Sequence, residues 1–594
     1  MEEAYIEMKL RAIEDRLSSL NMTSHQYVLV RFSMVICFCL SFYQGFEHER
    51  PLFIGICVLL FVLFILIVKK HQIIKEAIED EESLKEVYLD ILKRKSDEWK
   101  AFMDDGHEFM EDSFTQAYDL DLLGKASLFQ YLNVAQTKAG KIALKDALLA
   151  QDITKDEILK RQQAISELIT QSDLSVHFMQ LSKAFKKHAH KNKKMDQEID
   201  ALLTSHLDMH PMLLYLCNAV SILTWIGAIL WLLKLRSYLL FSIGFTLSLC
   251  LSLLFSLKHQ SYFQYVGKIH TLMYDYRRFF DLLSSSTFQS EKLQQLQDDT
   301  KSSRKAFKSL NWLLGFVQAR NNIIFNVLLN GFFLIDFHCM YQFSKFAKRY
   351  GTLMPTWFDA IGQLEMLLSL AQISFAKEHA CFPKINDQKS PTCKGQGFHH
   401  PLLNEQKVVK NDVMIASGSY VITGSNMSGK TTFLRTIGIN LVLAKAGAMV
   451  CADAMQTSIM RLYTSMRVKD DVSEGISTFY AEILRIKQMM MESKQEVAMM
   501  VLIDEIFKGT NSADRIACAM QAIRRLHLPW VIALVSTHDF ELCQLAKDSQ
   551  IQAVNYHFEE YYENDHIGFD YKLKPGRSTS TNAQQLMRMA GFYD

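Results

Sequence analysis

The stretch that most restricts what this chain can become is Gly424-Ser425-Asn426-Met427-Ser428-Gly429-Lys430-Thr431, followed by Thr432. It matches GxxxxGK[ST] in full. A short β-branched run, Tyr420–Thr423, precedes it and a helical pattern from Thr432 to Ala446 follows. Strand, glycine loop and helix is the context this motif requires. The glycines let backbone N–H groups close around phosphates, and the helix N-terminus adds its positive end. Lys430 is expected to reach the β- and γ-phosphates of ATP, and the Thr431 hydroxyl to ligate Mg²⁺.

Two downstream strands complete the expectation. Ala498–Ile503 is wholly apolar, as a strand buried on both faces should be, and it ends in Asp504-Glu505. Asp504 suits Mg²⁺ positioning, and Glu505 suits polarising the attacking water. A third apolar run, Val531–Val535, leads to Ser536-Thr537-His538, where His538 can sense the γ-phosphate. Parallel sheets present ligands at strand C-terminal ends, so an α/β ATPase domain over 381–594 is expected.

The rest of the chain reads as helix. Only 8 Pro and 24 Gly are spread over 594 residues, and 49% hydrophobic with 22% charged residues excludes a disordered chain. Three runs lack any charge: Pro51–Val68, Met212–Leu233 and Ser237–Leu257. Each is long enough to cross about 30 Å of hydrocarbon as a helix. Val28–Phe46, with Arg31 near its start, is a weaker fourth. Two transmembrane hairpins, 27–70 and 211–257, are therefore expected in a multi-pass plasma-membrane protein. Lys69–Lys70, Lys183–Lys194 and Lys258 flank the outer ends of the hairpins and place those ends, both termini and the ATPase domain in the cytoplasm. Residues 1–26 read as an amphipathic cytoplasmic segment, and 71–210 and 258–380 as two arms of a helical domain. Ile323–Ile335, broken by Asn326, Asn330 and Gly331, reads as a buried helix.

Sixty-five basic against 64 acidic residues give a net charge of +1, so any nucleic-acid surface must be local. The Lys183–Lys194 stretch could grip phosphates, bind anionic membrane lipid or enforce orientation. Five of the 11 Cys lie in apolar runs, which indicates a reduced protein. Cys381 and Cys393 near His399 and His400 fit no standard zinc spacing.

Several segments together resemble the MutS DNA mismatch-repair ATPases. Thr423–Arg435 is similar to the family's phosphate loop, including Asn426-Met427. Ser477-Thr-Phe-Tyr-Ala-Glu482 resembles its signature segment, Asp504–Thr510 its Walker B strand and loop, and Ser536-Thr-His-Asp539 its switch histidine. Asp119–Gly124, Thr137–Lys141, Arg161-Gln162 and Ala164-Ile165 resemble the opening of its helical core. The resemblance runs from about Tyr118 to Phe592, apart from the second hairpin. It implies a homodimer through the ATPase domains, Ser477 acting on the partner's γ-phosphate, and helical arms around double-stranded DNA.

Three departures qualify it. The first hundred residues hold a helix and a hairpin in place of mismatch-reading and connector domains, and no Phe-x-Glu wedge precedes Tyr118. The second hairpin falls where the family inserts its DNA clamp. Arg467-Val-Lys-Asp-Asp471 also differs from the family's wording. A membrane-anchored short form is expected, an ATPase that binds duplex DNA with weak or absent mismatch specificity. The competing expectation is an ATP-driven membrane switch or transporter-like machine with no role on DNA.

Overall fold

The computed structural model describes residues 2–47, 51–111, 114–189, 209, 211–233, 238–320, 322–386, 390–467, 478–507, 511–563 and 566–578. The chain is helical as far as Ala376 and α/β from Lys384 onward.

Two helices of 45 residues, Glu3–Glu47 and Pro51–Lys95, lie side by side. At 1.5 Å per residue each is about 67 Å long, roughly twice a bilayer core. The expected boundary between residues 26 and 27 falls inside the first helix, which runs through it unbroken. The two halves of the pair differ in what surrounds them. Leu29, Phe32, Leu40, Leu59 and Leu66 face outward, whereas Ile6, Ile13, Val87, Tyr88 and Ile91 are buried. Ion pairs Arg16–Glu81 (2.9 Å) and Lys85–Glu14 (2.6 Å) tie the polar halves together. Arg31 lies 3.1 Å from His71 Nδ1, so its charge sits level with the basic end of the second apolar run.

Pro211–Leu232 and Leu239–Lys258 form the second apolar pair. By length and composition four described helices could cross a membrane, these two and the two long ones. Ile323–Phe333 corrects the sequence reading: Ile323, Ile324, Phe325, Val327, Leu328 and Phe333 are exposed, and the polar Asn330 is buried. The helix packs against the second hairpin with its apolar side outward, so it is not a core helix.

The C-terminal part contains β1 (Lys384–Asn386), β2 (Thr392–Phe398), β3 (Asn411–Ala416), β4 (Gly418–Thr423), β5 (Ala454–Ser458) and β6 (Arg461–Ser465). Then come β7 (Met499–Asp504), β8 (Val531–Thr537), β9 (Val554–His557), β10 (Glu560–Glu563), β11 (His566–Phe569) and β12 (Lys574–Pro575). One sheet has the order β1-β5-β2-β3, and the larger has β12-β9-β4-β8-β7-β6. From β9 to β6 the larger sheet is parallel, with Thr423 opposite Thr537 and Asp504 opposite Ser536. That register brings the tips of β4, β7 and β8 to one edge.

Alternation along these strands sorts the core. Ile422, Leu502, Ile532 and Leu534 join a cluster that reaches back to Ile6 in the first helix. Val421, Val501, Ile503 and Val535 pack on the opposite face with Ile523 and Leu526. The Lys430–Ala446 helix lies between the sheet and the helical part. At Gly438 an added Cβ would come within 2.8 Å of Leu120 and 2.9 Å of Leu502, so only glycine permits that approach.

Candidate nucleotide site

The glycine loop leaves β4 at Gly424, with φ +155, and enters its helix through Gly429, with φ +106. A Cβ on Gly424 would sit 2.7 Å from Ser428 Oγ, and one on Gly429 3.0 Å from the Tyr571 ring. Met427, with φ +69, carries its side chain almost fully into solvent. Ser425 Oγ donates to Glu560 Oε2 at 2.7 Å, which anchors the loop to β10. Ser428 Oγ is buried without a hydrogen-bond partner.

Lys430 is buried and its Nζ donates to the carbonyls of Gly424 and Ser425, both at 2.8 Å. It also lies 3.5 Å from His538 Nε2. His538 Nε2 in turn is 3.0 Å from Glu505 Oε1. Thr431 Oγ1 donates to Asp504 Oδ2 at 2.6 Å, and Ser536 Oγ donates to the other carboxylate oxygen. The structure thus brings Lys430, Thr431, Asp504, Glu505 and His538 together at one sheet edge. Ser477 lies outside the described residues.

Glu505 is placed by strained backbone. Its φ is +50 and that of Phe507 is +62, both unusual for side chains of this size. The Glu505 amide donates to the Ser536 carbonyl at 3.1 Å. Phe507 N donates to the buried Glu482 Oε1 at 2.6 Å, and the Phe507 ring meets Phe479 edge-on at 5.8 Å.

Beside the loop is a cleft of about 470 Å³ lined by Asn426, Met427, Thr432, His400, Phe558 and Tyr571, among others. Its polar floor and aromatic walls could take a phosphate chain and a planar base. Burial, reinforced by the nearby Arg435 charge, pushes the His400 imidazole down to about 3, so it is neutral at pH 7. The cleft walls carry no sequence signal: His400 fits no standard zinc spacing, and Phe558 and Tyr571 belong to no motif.

A second set of contacts joins this site to the helical part. Asp121 accepts from Arg435 at 3.0 Å and Arg467 at 2.5 Å. The fully buried Asp119 accepts from the amides of Met466 (3.0 Å) and Arg467 (2.9 Å) and from Arg485 (3.5 Å). Arg435 follows Thr431 by one helical turn, and Arg485 lies on the helix carrying Glu482.

The bound groups these residues would suit can be tested on the geometry. An orphaned buried hydroxyl at Ser428 and a lysine at the N-terminus of a helix fit phosphate. Thr431 and Asp504, 2.6 Å apart, offer one hydroxyl and one carboxylate, which fits Mg²⁺ completed by phosphate oxygens and water. Among the described residues no three His, Cys, Asp or Glu side chains converge to hold a metal by themselves.

Fold and site together define an ATPase-like α/β domain carried on a long helical body. Residues 420–594 match MutS domain V. The chain is 30% identical over 234 residues to the DNA mismatch repair protein MutS 2 of Halobacterium salinarum, covering 38% of this chain and 27% of that protein. It is 28% identical over 248 residues to DNA mismatch repair protein MutS of Thermus aquaticus, covering 41% and 29%. It is 30% identical over 262 residues to MutS protein homolog 4 of Mus musculus, covering 41% and 24%. The matched region spans about a quarter of the length of these relatives. Residues 420–594 are thus similar to domain V of the MutS proteins.

Proposed function

We propose that this protein is a membrane-anchored MutS-type ATPase that works as a homodimer. The observation that carries the reading is the convergence of Lys430, Thr431, Asp504, Glu505 and His538 at the tips of β4, β7 and β8. Lys430 would neutralise the β- and γ-phosphates, while Thr431 and Asp504 would hold Mg²⁺. When bound, Mg²⁺ supplies charge neutralisation across those phosphates. Glu505 would orient and polarise the attacking water, and His538, shared between Glu505 and Lys430, would report the γ-phosphate. The exposed apolar faces of both hairpins support anchoring in lipid.

Mg²⁺-dependent ATP hydrolysis by the detergent-solubilised full chain is the test. Lys430→Ala should abolish nucleotide binding. Glu505→Gln should keep ATP bound and lower kcat by about 10²-fold or more. Turnover at the wild-type rate in Glu505→Gln would remove Glu505 from its role. A nucleotide-driven membrane switch that never touches DNA is the second reading. It is favoured by Lys183 and Lys187 of the Lys183–Lys194 stretch, which are engaged by Asp90 and by Glu82 and Glu86 (3.7 and 3.2 Å); residues 190–194 lie outside the described residues.

A further inference from the structure

Ile323–Phe333 and Ile335–Tyr350 meet at Leu334, whose backbone is left-handed (φ +47), and their axes differ by 82°. Contacts with the second hairpin fix the depth of each part. Arg320, just ahead of the first helix, hydrogen-bonds Ser256 and lies 4.0 Å from the centre of the Phe263 ring. Those two residues flank Lys258, the basic end of the hairpin. Phe332, at the far end of that helix, packs on Trp225 (5.0 Å), Phe245 (5.3 Å) and Phe241 (6.0 Å). Phe245 and Phe241 precede Lys258 by 13 and 17 residues, which at 1.5 Å per residue is about 20 and 26 Å along the hairpin. After the break, Phe337 stacks on Phe255 at 3.9 Å, back towards Lys258. Tyr350 then ends against Trp357 at 5.8 Å in the helical body. The segment starts and finishes on the Lys258 side, and its tip lies deep along the hairpin.

Its two faces agree with that path. Ile323, Ile324, Phe325, Val327 and Leu328 point away from the protein. Gly331 faces inward, where a Cβ would come within 2.2 Å of the Phe245 ring. The backbone interrupted at Leu334 is satisfied from within. Asn330 Oδ1 accepts from Asp336 N at 3.1 Å, and Asn330 Nδ2 donates to Asn326 Oδ1 at 2.6 Å. Asp336 accepts from Ser252 Oγ at 3.3 Å and pairs with Arg320 Nε at 3.3 Å. Broken helices persist at membrane depth only when the protein itself supplies such partners, and charges there are paired.

We propose that Ile323–Tyr350 is a re-entrant membrane element, entering the bilayer beside the second hairpin and returning to the same side. Lipid hydrocarbon covers the face of Ile323, Ile324, Phe325, Val327 and Leu328, which continues the outward apolar surface of the hairpin it packs on. The Arg320–Asp336 pair holds the break. The proposal rests on the membrane reading above and adds a fifth membrane element to its four spans.

Nitroxide scanning of the full-length chain in phosphatidylcholine–phosphatidylglycerol liposomes tests it, with exposed Cys37, Cys39, Cys250 and Cys518 replaced by Ala. Spin labels go at Ile324 and Leu328, at Leu254 on the hairpin, and at the exposed Lys345. The oxygen-to-nickel-chelate accessibility ratio at 324 and 328 should match that at 254 and exceed that at 345 severalfold. Nickel access at 324 and 328 with 254 protected would put the segment in water. Loss of both colliders at 324 and 328 would mean that protein covers this face. Either result overturns the proposal and leaves the hairpins in the membrane. Nickel access at 254 as well would sink the membrane reading itself. Asp336→Ala should shift the 324 label towards nickel access while 254 holds; an unchanged 324 label would remove the ion pair from its assigned part.

Discussion

Glu505 and Phe507 both occupy left-handed backbone, at a cost of about 1–3 kcal/mol each, and such strain persists only where surrounding contacts impose it. Glu505 is held by β8, through the Ser536 carbonyl on its amide, and Phe507 by the helix Thr478–Glu492, through Glu482 on its amide and Phe479 on its ring. Glu482→Ala should therefore lower kcat for ATP about tenfold or more with little change in KM, because water placement loosens while phosphate binding does not. Glu482→Gln, which keeps an acceptor, should recover part of the loss; a matching rise in KM in both variants would refute the positioning argument. His400 gives a pH signature. Its folded-state value of about 3 lies below the ordinary 6.5, so the unfolded chain binds the extra proton between those values. Stability is then intact above about pH 6.5 and falls as pH drops towards 3, by about 2 kcal/mol at pH 5. Thermal unfolding of His400→Asn should show a smaller loss between pH 7.5 and 5 than wild type; an equal loss would place the buried proton elsewhere. Lys430, Thr431, Asp504, Glu505 and His538 could be read from sequence because each sits at a fixed offset from a buried strand. Glu482 and His400 act through tertiary contacts that no local pattern encodes.

At the scale of elements, the three main apolar runs stand out in the sequence because each lacks a charge over the length a bilayer core requires. What they could not reveal is that Glu3–Glu47 and Pro51–Lys95 continue unbroken into the body, where burial becomes one-sided and the pattern fades into an ordinary amphipathic helix. The Ile323 segment misled for a related reason. Asn326, Asn330 and Gly331 look like interruptions in a linear reading, yet Asn330 and Gly331 face inward and Asn330 binds Asn326, while the apolar positions face out. Asp119 is the opposite case, a residue noticed in a motif but given no role until its partners are seen. It pins the end of β6 to the helical body through two backbone amides. Asp119→Ala leaves those amides and Arg485 without their acceptor inside the protein, which should cost about 3 kcal/mol. Differential scanning calorimetry would register this as a lower Tm for the unit containing β6; a Tm within error of wild type would show that solvent or another acceptor replaces the carboxylate.

Across the whole molecule one apolar cluster runs from Ile6 to Phe558, so the hairpin bases, helical body and sheet share a core. The Met354–Leu370 helix packs on Lys138–Leu149, which packs in turn on the Lys430–Ala446 helix. If the site is shared across a dimer, mixing Ser477→Ala with Lys430→Ala subunits should restore up to one working site per dimer. No recovery of ATPase activity at any ratio would favour a site complete within one chain. DNA is the harder question. The matched relatives are named for mismatch repair, but the match spans about a quarter of their length. In this chain the arms lead to an apolar hairpin, which cannot neutralise phosphates, and the net charge of +1 provides no general attraction. Lys183 and Lys187 spend their charge on Asp90, Glu82 and Glu86. Each phosphate neutralised contributes a slope of about −0.9 to log K against log salt. Duplex binding should be weak and salt-sensitive, with little change on adding ATP. Recognition of a mismatch further needs a side chain wedged into a deformable base step, and the first hundred residues hold two long helices in place of a mismatch-reading domain. Fluorescence anisotropy with matched and mismatched duplexes across a salt series measures both quantities. A preference for the mismatch of about tenfold, worth about 1.4 kcal/mol, would mean that a reading surface exists on the arms and that the hairpin does not replace it.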